Sequence, residues 1–196
     1  MSRRAIPEIG SSGAPAAGTR EQAVRAARRL IQTRSYLGFS FQDVADTVGV
    51  RKPSLYHYFP SKEALGAEVL REAAEAFRRW AQSIDQRAPA DRLNAYFQMY
   101  RNDLRAGEQV CPGGSFVAGW DCIEPQLRRY VREIRDEQVL WLTGVLGALL
   151  PAGKSASALA SYVYASCQGA LSTARMTGRV EDYDEVIAQV KQSLFA

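Results

Sequence analysis

Few side chains in this sequence have the types and spacing that covalent chemistry needs. There are three cysteines, Cys111, Cys122 and Cys167, and one histidine, His57. Their separations match neither a Cys-x-x-Cys pair nor a zinc-ligand set, so no disulfide framework, no metal and no cofactor is predicted. Gly113-Gly114-Ser115 invites a serine-nucleophile reading. However, Val117 stands where the second glycine of a Gly-x-Ser-x-Gly turn belongs, and the sole histidine lies on a different, basic segment, so composition excludes a serine triad. Residues 148–155, ALLPAGKS, fit a loose phosphate-loop pattern, but the real motif needs a preceding strand and a glycine-rich cradle, and here a long helical pattern precedes Leu149-Leu150-Pro151. Cys111 is the remaining candidate. It sits in a Pro-Gly-Gly break rather than a helical stripe, where a thiolate of lowered pKa would react with an electrophile or oxidant. The opposing observation is that Arg105 is the nearest basic residue before it and none follows until Arg128, which favours an inert cysteine.

Charge points to a different chemistry. The net charge is +4 over 196 residues, yet up to Lys62 there are ten basic residues against four acidic ones, while the remainder carries fifteen against seventeen. A positive field confined to one third of a chain suits binding to phosphates. The 46% hydrophobic content suffices for a substantial core, and no apolar run approaches the roughly 18 residues that would cross a bilayer. The first residues hold no apolar signal segment, so a cytoplasmic location is expected.

The elements that position this charge are legible from their punctuation. Residues 1–18, rich in Gly, Ala, Ser and Pro, are expected to form a mobile arm, with Arg3 and Arg4 as possible DNA contacts. Thr19 with Gln22 reads as a capping box for a helix to about residue 35, with Ala23, Ala26, Ala27, Leu30 and Ile31 inward and Gly38 providing a left-handed exit. Ser40 with Asp43 caps a second helix whose inner face is Phe41, Val44, Ala45 and Val48. Gly49 supplies the positive φ of a tight turn. A third helix follows, with Pro53 in its first turn, Leu55 and Phe59 inward, and Pro60 as its stop. Ser61 caps a fourth, expected to run to about residue 83. Two short helices joined by a glycine turn form the DNA-binding helix-turn-helix.

The wording of this stretch, Val50-Arg51-Lys52-Pro53-Ser54-Leu55-Tyr56-His57-Tyr58-Phe59 followed by Ser61-Lys62-Glu63-Ala64-Leu65, resembles the N-terminal signature of the tetracycline-repressor (TetR) family of bacterial regulators. The resemblance spans roughly residues 19–70 and implies which side chains meet DNA. Lys52, Pro53 and Ser54 match positions that approach bases. Tyr56, His57 and Lys62 match phosphate-gripping positions. Ser40 matches a residue that both caps its helix and touches phosphate. Arg51 departs from the family's usual small hydroxyl cap, giving up about 1 kcal/mol of capping while adding a cation at the groove edge. The amino end of the helix capped by Ser61 can also hold a phosphate.

Beyond residue 89 the pattern remains helical: residues 91–104, a short helix over 115–121, then 125–150, 155–176 and 183–194. The expectation is an all-α chain of about nine helices, with a helix-turn-helix domain over residues 19–65 and a larger ligand-binding and dimerisation domain over residues 66–196. Aromatic residues crowd the second domain, and a cavity between helices lined by such residues is a common ligand site. Tyr96, Tyr100, Cys111, Phe116, Trp120, Trp141 and Tyr162 are the candidate effector contacts, although an aromatic stripe is also ordinary core. The small residues of 155–176, including Ala165 and Gly169, and the apolar stripe of 183–194, with Ile187 and Val190, are the candidate dimer surface; the alternative is that both stripes are buried within one chain. Together these readings give a homodimeric, ligand-responsive transcriptional regulator, most simply a repressor released from a palindromic operator by a small apolar or thiol-reactive effector. An activator or global regulator is the alternative of the same fold. A cysteine-dependent enzyme lacks a histidine placed to act as base.

Overall fold

The computed structural model describes residues 18–105, 111–151 and 153–195. The expected arm, apart from Gly18, lies outside the described residues, as do residues 106–110 of the expected break. Among the described residues the regular structure is helical, with eight α-helices and two single turns of 3-10 helix. A head is formed by α1 (Thr19–Arg34), α2 (Phe41–Val48) and α3 (Lys52–Tyr56). The long α4 (Lys62–Ser83) leads into a body of α5 (Pro89–Arg105), α6 (Pro125–Gly147), α7 (Ala156–Thr177) and α8 (Val180–Phe195). The short helix expected over 115–121 is instead two 3-10 turns, Gly114–Phe116 and Trp120–Cys122, separated by Gly119 in the left-handed region at φ 78°.

Most of the local punctuation works as the residue types dictate. The Ser40 hydroxyl accepts from the Asp43 amide while the Asp43 carboxylate accepts from the Ser40 amide, so two orphan donors of α2 are satisfied reciprocally. Gly49 closes α2 at φ 77°, where any other residue would be strained. Ser61 caps α4 by accepting from the Ala64 amide at 3.1 Å. Two expectations at α1 differ. Gly18 is the N-cap and Thr19 is already helical, with no side-chain cap bond. The left-handed exit falls on Ser35 (φ 61°, ψ 169°) rather than on Gly38. Gly38 is needed for close approach, since a Cβ there would lie 2.0 Å from the Arg34 carbonyl oxygen. Helix α3 ends at Tyr56, ahead of Pro60, because the Tyr58 and Phe59 amides both turn back to the Leu55 carbonyl.

Two hydrophobic clusters organise the chain. The first joins the inner faces of α1, α2 and α3 (Ala27, Ile31, Val44, Leu55) to the start of α4 and to Phe116, Ile123, Leu127 and Val131. It therefore runs past residue 65, through α4 as far as Ala74, and takes in the amino-terminal half of α6. The second holds α5, the distal half of α6, α7 and α8 together. The α8 stripe belongs to it: Tyr183, Ile187, Val190 and Leu194 are all at most 5% exposed, packed where α8 meets α5 and α7. Ile187 and Val190 are therefore core residues of their own chain and not a surface for a second one. The helical period announces an apolar stripe, but it does not say which helix covers it.

Candidate DNA-reading head and effector cavity

The reading helix α3 is short, and it is held from beneath. Leu55 and Phe59 are buried in the head core, and the Tyr56 ring stacks on Phe41 of α2 at 5.0 Å. This leaves Arg51, Lys52, Pro53, Tyr56 and His57 exposed side by side, with Ser54 half-buried between them. Pro53 lies in the first turn, where its missing N–H costs no hydrogen bond. Arg51 precedes α3 without a side-chain cap. Ser40 is exposed, and its hydroxyl is 2.6 Å from the Asp43 carboxylate. That contact with Ser40, ahead of the nearby Arg34, holds the Asp43 carboxyl below its ordinary value. The arrangement suits a major groove, in which short and long polar side chains approach base edges while flanking groups contact phosphates.

Lys62 is placed differently from the other candidates. Its ammonium donates to the Phe39 carbonyl at 2.7 Å and lies over the Tyr36 and Phe39 rings, at 4.6 and 4.5 Å from their centroids. Desolvation lowers its pKa, although Glu124 and Asp43 act in the opposite direction. In this conformation Lys62 fastens the loop before α2 to α4. Around it the head is joined to the body by further contacts. Tyr36 stacks on Phe116 at 4.7 Å and its hydroxyl donates to Glu124 at 3.2 Å. Arg175, on α7, donates to the carbonyl oxygens of Gln32 (2.9 Å) and Thr33 at the end of α1. Those carbonyls have no acceptor role left inside α1, and a guanidinium there also complements the helix dipole.

Between the end of α1, the first 3-10 turn, α6 and α7 lies a cavity of about 1110 Å³. Its walls include Gln32 to Ser35, Gly113 to Ser115, Trp120, Val131, Arg132, Arg135, Tyr164, Gln168, Leu171 and Arg175. Of the seven effector residues expected from sequence, only Trp120 lines it. Tyr96, Tyr100 and Phe116 are core, each at most 2% exposed. Trp141 belongs to an aromatic cluster, stacked on Tyr96 at 5.7 Å and tilted against Trp80 at 5.3 Å. Tyr162 points outward and is within hydrogen-bond distance of Ser193 at 3.2 Å. Cys111 is buried behind the wall, its backbone carbonyl accepting from the Ser115 amide at 3.1 Å. The core tyrosines still touch the cavity indirectly: Gln168 donates to the Tyr100 hydroxyl at 3.3 Å, and both Tyr100 and Tyr96 donate to buried Gln138. Cys167 is fully buried, and burial pushes its thiol up to about 12, which favours the neutral form.

Sequence reasoning missed Arg132, Arg135, Gln168 and Arg175. The i, i+3 spacing of Arg132 and Arg135 was a visible signal for the first two. For Gln168 and Arg175 no local signal existed, since Arg175 meets Gln32 across 143 positions of chain. Among the described residues no cluster of three or more His, Cys, Asp or Glu side chains is placed to hold a metal, and no helix is long and apolar enough to cross a membrane.

A helix-turn-helix head on a helical body that encloses a cavity defines the class of a DNA-binding transcriptional regulator. Comparison with known proteins agrees. Residues 23–69 match the family described as bacterial regulatory proteins, tetR family. The chain is 27% identical over 183 residues to the HTH-type transcriptional repressor DhaR of Mycobacterium sp. (strain GP1), covering 89% of this chain and 91% of that one. It is likewise 27% identical over 192 residues to the HTH-type transcriptional repressor NemR of Escherichia coli K12, covering 88% and 92%. The crystal structure of a TetR regulator from Legionella pneumophila shares the fold at a TM-score of 0.86 and 23% identity, covering 92% of this chain and 99% of that one. Reduced Escherichia coli NemR does so at 0.78 and 23%, covering 89% and 95%. Residues 23–69 thus carry the DNA-binding domain of the TetR family of bacterial transcriptional regulators.

Proposed function

We propose that this protein is a transcriptional repressor that works as a homodimer and leaves its operator when a small molecule enters the cavity between α1, α6 and α7. One observation carries this reading: residues 32–35 at the end of the first helix of the DNA-binding head also form a wall of the cavity. A ligand there contacts both the body and the head. It therefore has a means of binding two head orientations unequally, which is what shifting their equilibrium requires. Lys52, Pro53, Ser54 and Arg51 are assigned to base edges and the adjoining phosphates, with Tyr56, His57 and Ser40 on the backbone. Lys62 holds the loop before α2, and reaches phosphate only if it leaves the Phe39 carbonyl.

The dimer surface is reassigned to the outer face of α7. Tyr162, Ala165, Gly169, Ser172 and Met176 are exposed there, and Met176 is 79% accessible; Gly169, Ser172 and Met176 also line the cavity, so a partner helix on this face closes its open side. A Cβ on Gly169 would meet nothing within 4 Å, so a second helix can approach closely at that point. Selection of DNA from a random pool by the purified protein tests the whole reading. The enriched sequence should be an inverted repeat whose half-site centres lie about 34 Å apart or a multiple of that. Enrichment of a single unrepeated site, or of none, would overturn it.

The effector acts without covalent attack on Cys111, because that residue is 5% exposed and packed behind the cavity wall. Cys111→Ser should keep wild-type DNA affinity and wild-type ligand response within about twofold. Iodoacetamide should label exposed Cys122 well before Cys111 by mass spectrometry. Rapid labelling of Cys111, with DNA release that the serine variant lacks, would instead make this cysteine the switch.

A further inference from the structure

The cavity is lined by four arginines, Arg34, Arg132, Arg135 and Arg175, and by no aspartate or glutamate. Two of them have carboxylate partners outside it: Arg34 pairs with Asp43 at 3.2 Å and Arg135 with Asp136 at 2.8 Å. Arg132 does not. Its guanidinium lies over the Trp120 ring, 5.3 Å from the centroid, and among the described residues it has no carboxylate within ion-pair distance. Val131 and Leu171, both buried, add apolar surface to the lining. A lining that holds guanidinium groups and no carboxylate disfavours a cationic guest and offers a neutral one no charge-assisted contact, whereas an anion gains charge-assisted hydrogen bonds from planar, forked donors.

We propose that the effector of this cavity is an amphipathic organic anion, its charged group meeting Arg132 and Arg135 and its apolar body lying against Trp120, Val131 and Leu171. This rests on the ligand-response reading above. The same anion competes with the head for Arg175, whose donors hold the Gln32 and Thr33 carbonyls. Directly beyond those carbonyls stands Ser35, a non-glycine residue at φ 61° and ψ 169°, in a region of backbone space that only glycine occupies without strain. An anion that takes over Arg175 therefore releases α1 at a point already under strain. This gives the ligand unequal affinity for the held and released states of the head.

The test uses two probes with one body. 8-Anilinonaphthalene-1-sulfonate is an amphipathic anion, and N-phenyl-1-naphthylamine is the same ring system without the sulfonate. Titrated by fluorescence and calorimetry, the sulfonate should bind once per subunit and at least about tenfold more tightly than the neutral amine. Arg132→Gln with Arg135→Gln, both at exposed positions, should abolish that preference while leaving amine binding and the melting temperature unchanged. Ala118→Trp, which fills the cavity from an exposed lining position, should block both probes. Equal affinity for the two probes, or a sulfonate affinity indifferent to the arginine changes, overturns the anion assignment. So does binding of neither probe until Ala165→Arg, on the exposed face of α7 but outside the cavity lining, separates the subunits, because the cavity is then closed by the partner chain. Release of the selected DNA distinguishes this proposal from the reading it rests on. Anion-selective binding without DNA release supports the anion site and removes the ligand response. Release by the neutral amine alone overturns the anion site and leaves the response standing.

Discussion

A protein carrying Lys52→Ala together with Tyr56→Phe should bind its operator at least about 1000-fold more weakly than wild type, with an unchanged fold. A specific polar contact to a base edge is worth about 1–3 kcal/mol, and a phosphate hydrogen bond about 1 kcal/mol. A dimer loses each contact twice, so the total is about 4–8 kcal/mol, at 1.4 kcal/mol per decade of affinity. The choice of phenylalanine matters. The Tyr56 ring stacks on Phe41 at 5.0 Å, and alanine would remove that support from α3, confusing lost contact with lost structure; phenylalanine keeps the ring and deletes only the hydroxyl. The buried side chain beneath, Leu55, is untouched. Fluorescence anisotropy on the selected DNA measures the loss, and circular dichroism checks the fold. A double variant that binds within threefold of wild type would mean that α3 does not read DNA.

The second large effect separates two surfaces that look alike in sequence. Gly169→Arg should give a folded monomer, whereas Ile187→Arg should fail to fold. Gly169 is exposed on the outer face of α7, with open space where a side chain would begin. An arginine there is solvated in the single chain, but in a close helix–helix contact it would be a buried charge without a partner, which costs several kcal/mol. Ile187 is 5% exposed and packed within its own chain. An arginine there loses the burial of the isoleucine, about 1.5–3 kcal/mol, and adds the cost of desolvating a guanidinium in the core. Sedimentation velocity and thermal unfolding on the two variants provide the contrast. A Gly169→Arg protein that remains dimeric at micromolar concentration would move the interface elsewhere, and a well-folded Ile187→Arg monomer would restore α8 as the contact surface.

The reading head was legible in the sequence because its determinants are local. The Ser40–Asp43 capping box, Gly49 at positive φ, Pro53 in a first turn and Ser61 as a cap all act within a few residues of where they stand. Each has a single physical function, and a short helix offers few alternatives to it. The recurrence of apolar positions at three- and four-residue spacing likewise determined the all-helical class and most helix limits. The positive charge of the first third of the chain indicated a polyanionic partner without any need of coordinates.

Only the tertiary structure decided what the body does with its apolar and charged residues. Tyr96, Tyr100, Phe116 and Trp141 had the composition of a binding pocket and became core and core edge, since an aromatic ring lowers the free energy equally well against a ligand or a neighbouring helix. The cavity formed instead where α1, α6 and α7 converge, lined by arginines drawn from three helices. Ile187 and Val190 were covered by helices of their own chain. In each case periodicity reports that a face is apolar or charged. What that face meets depends on contacts such as Arg175 with Gln32, made between residues 143 positions apart, and no local pattern along the chain encodes which distant surfaces folding brings together.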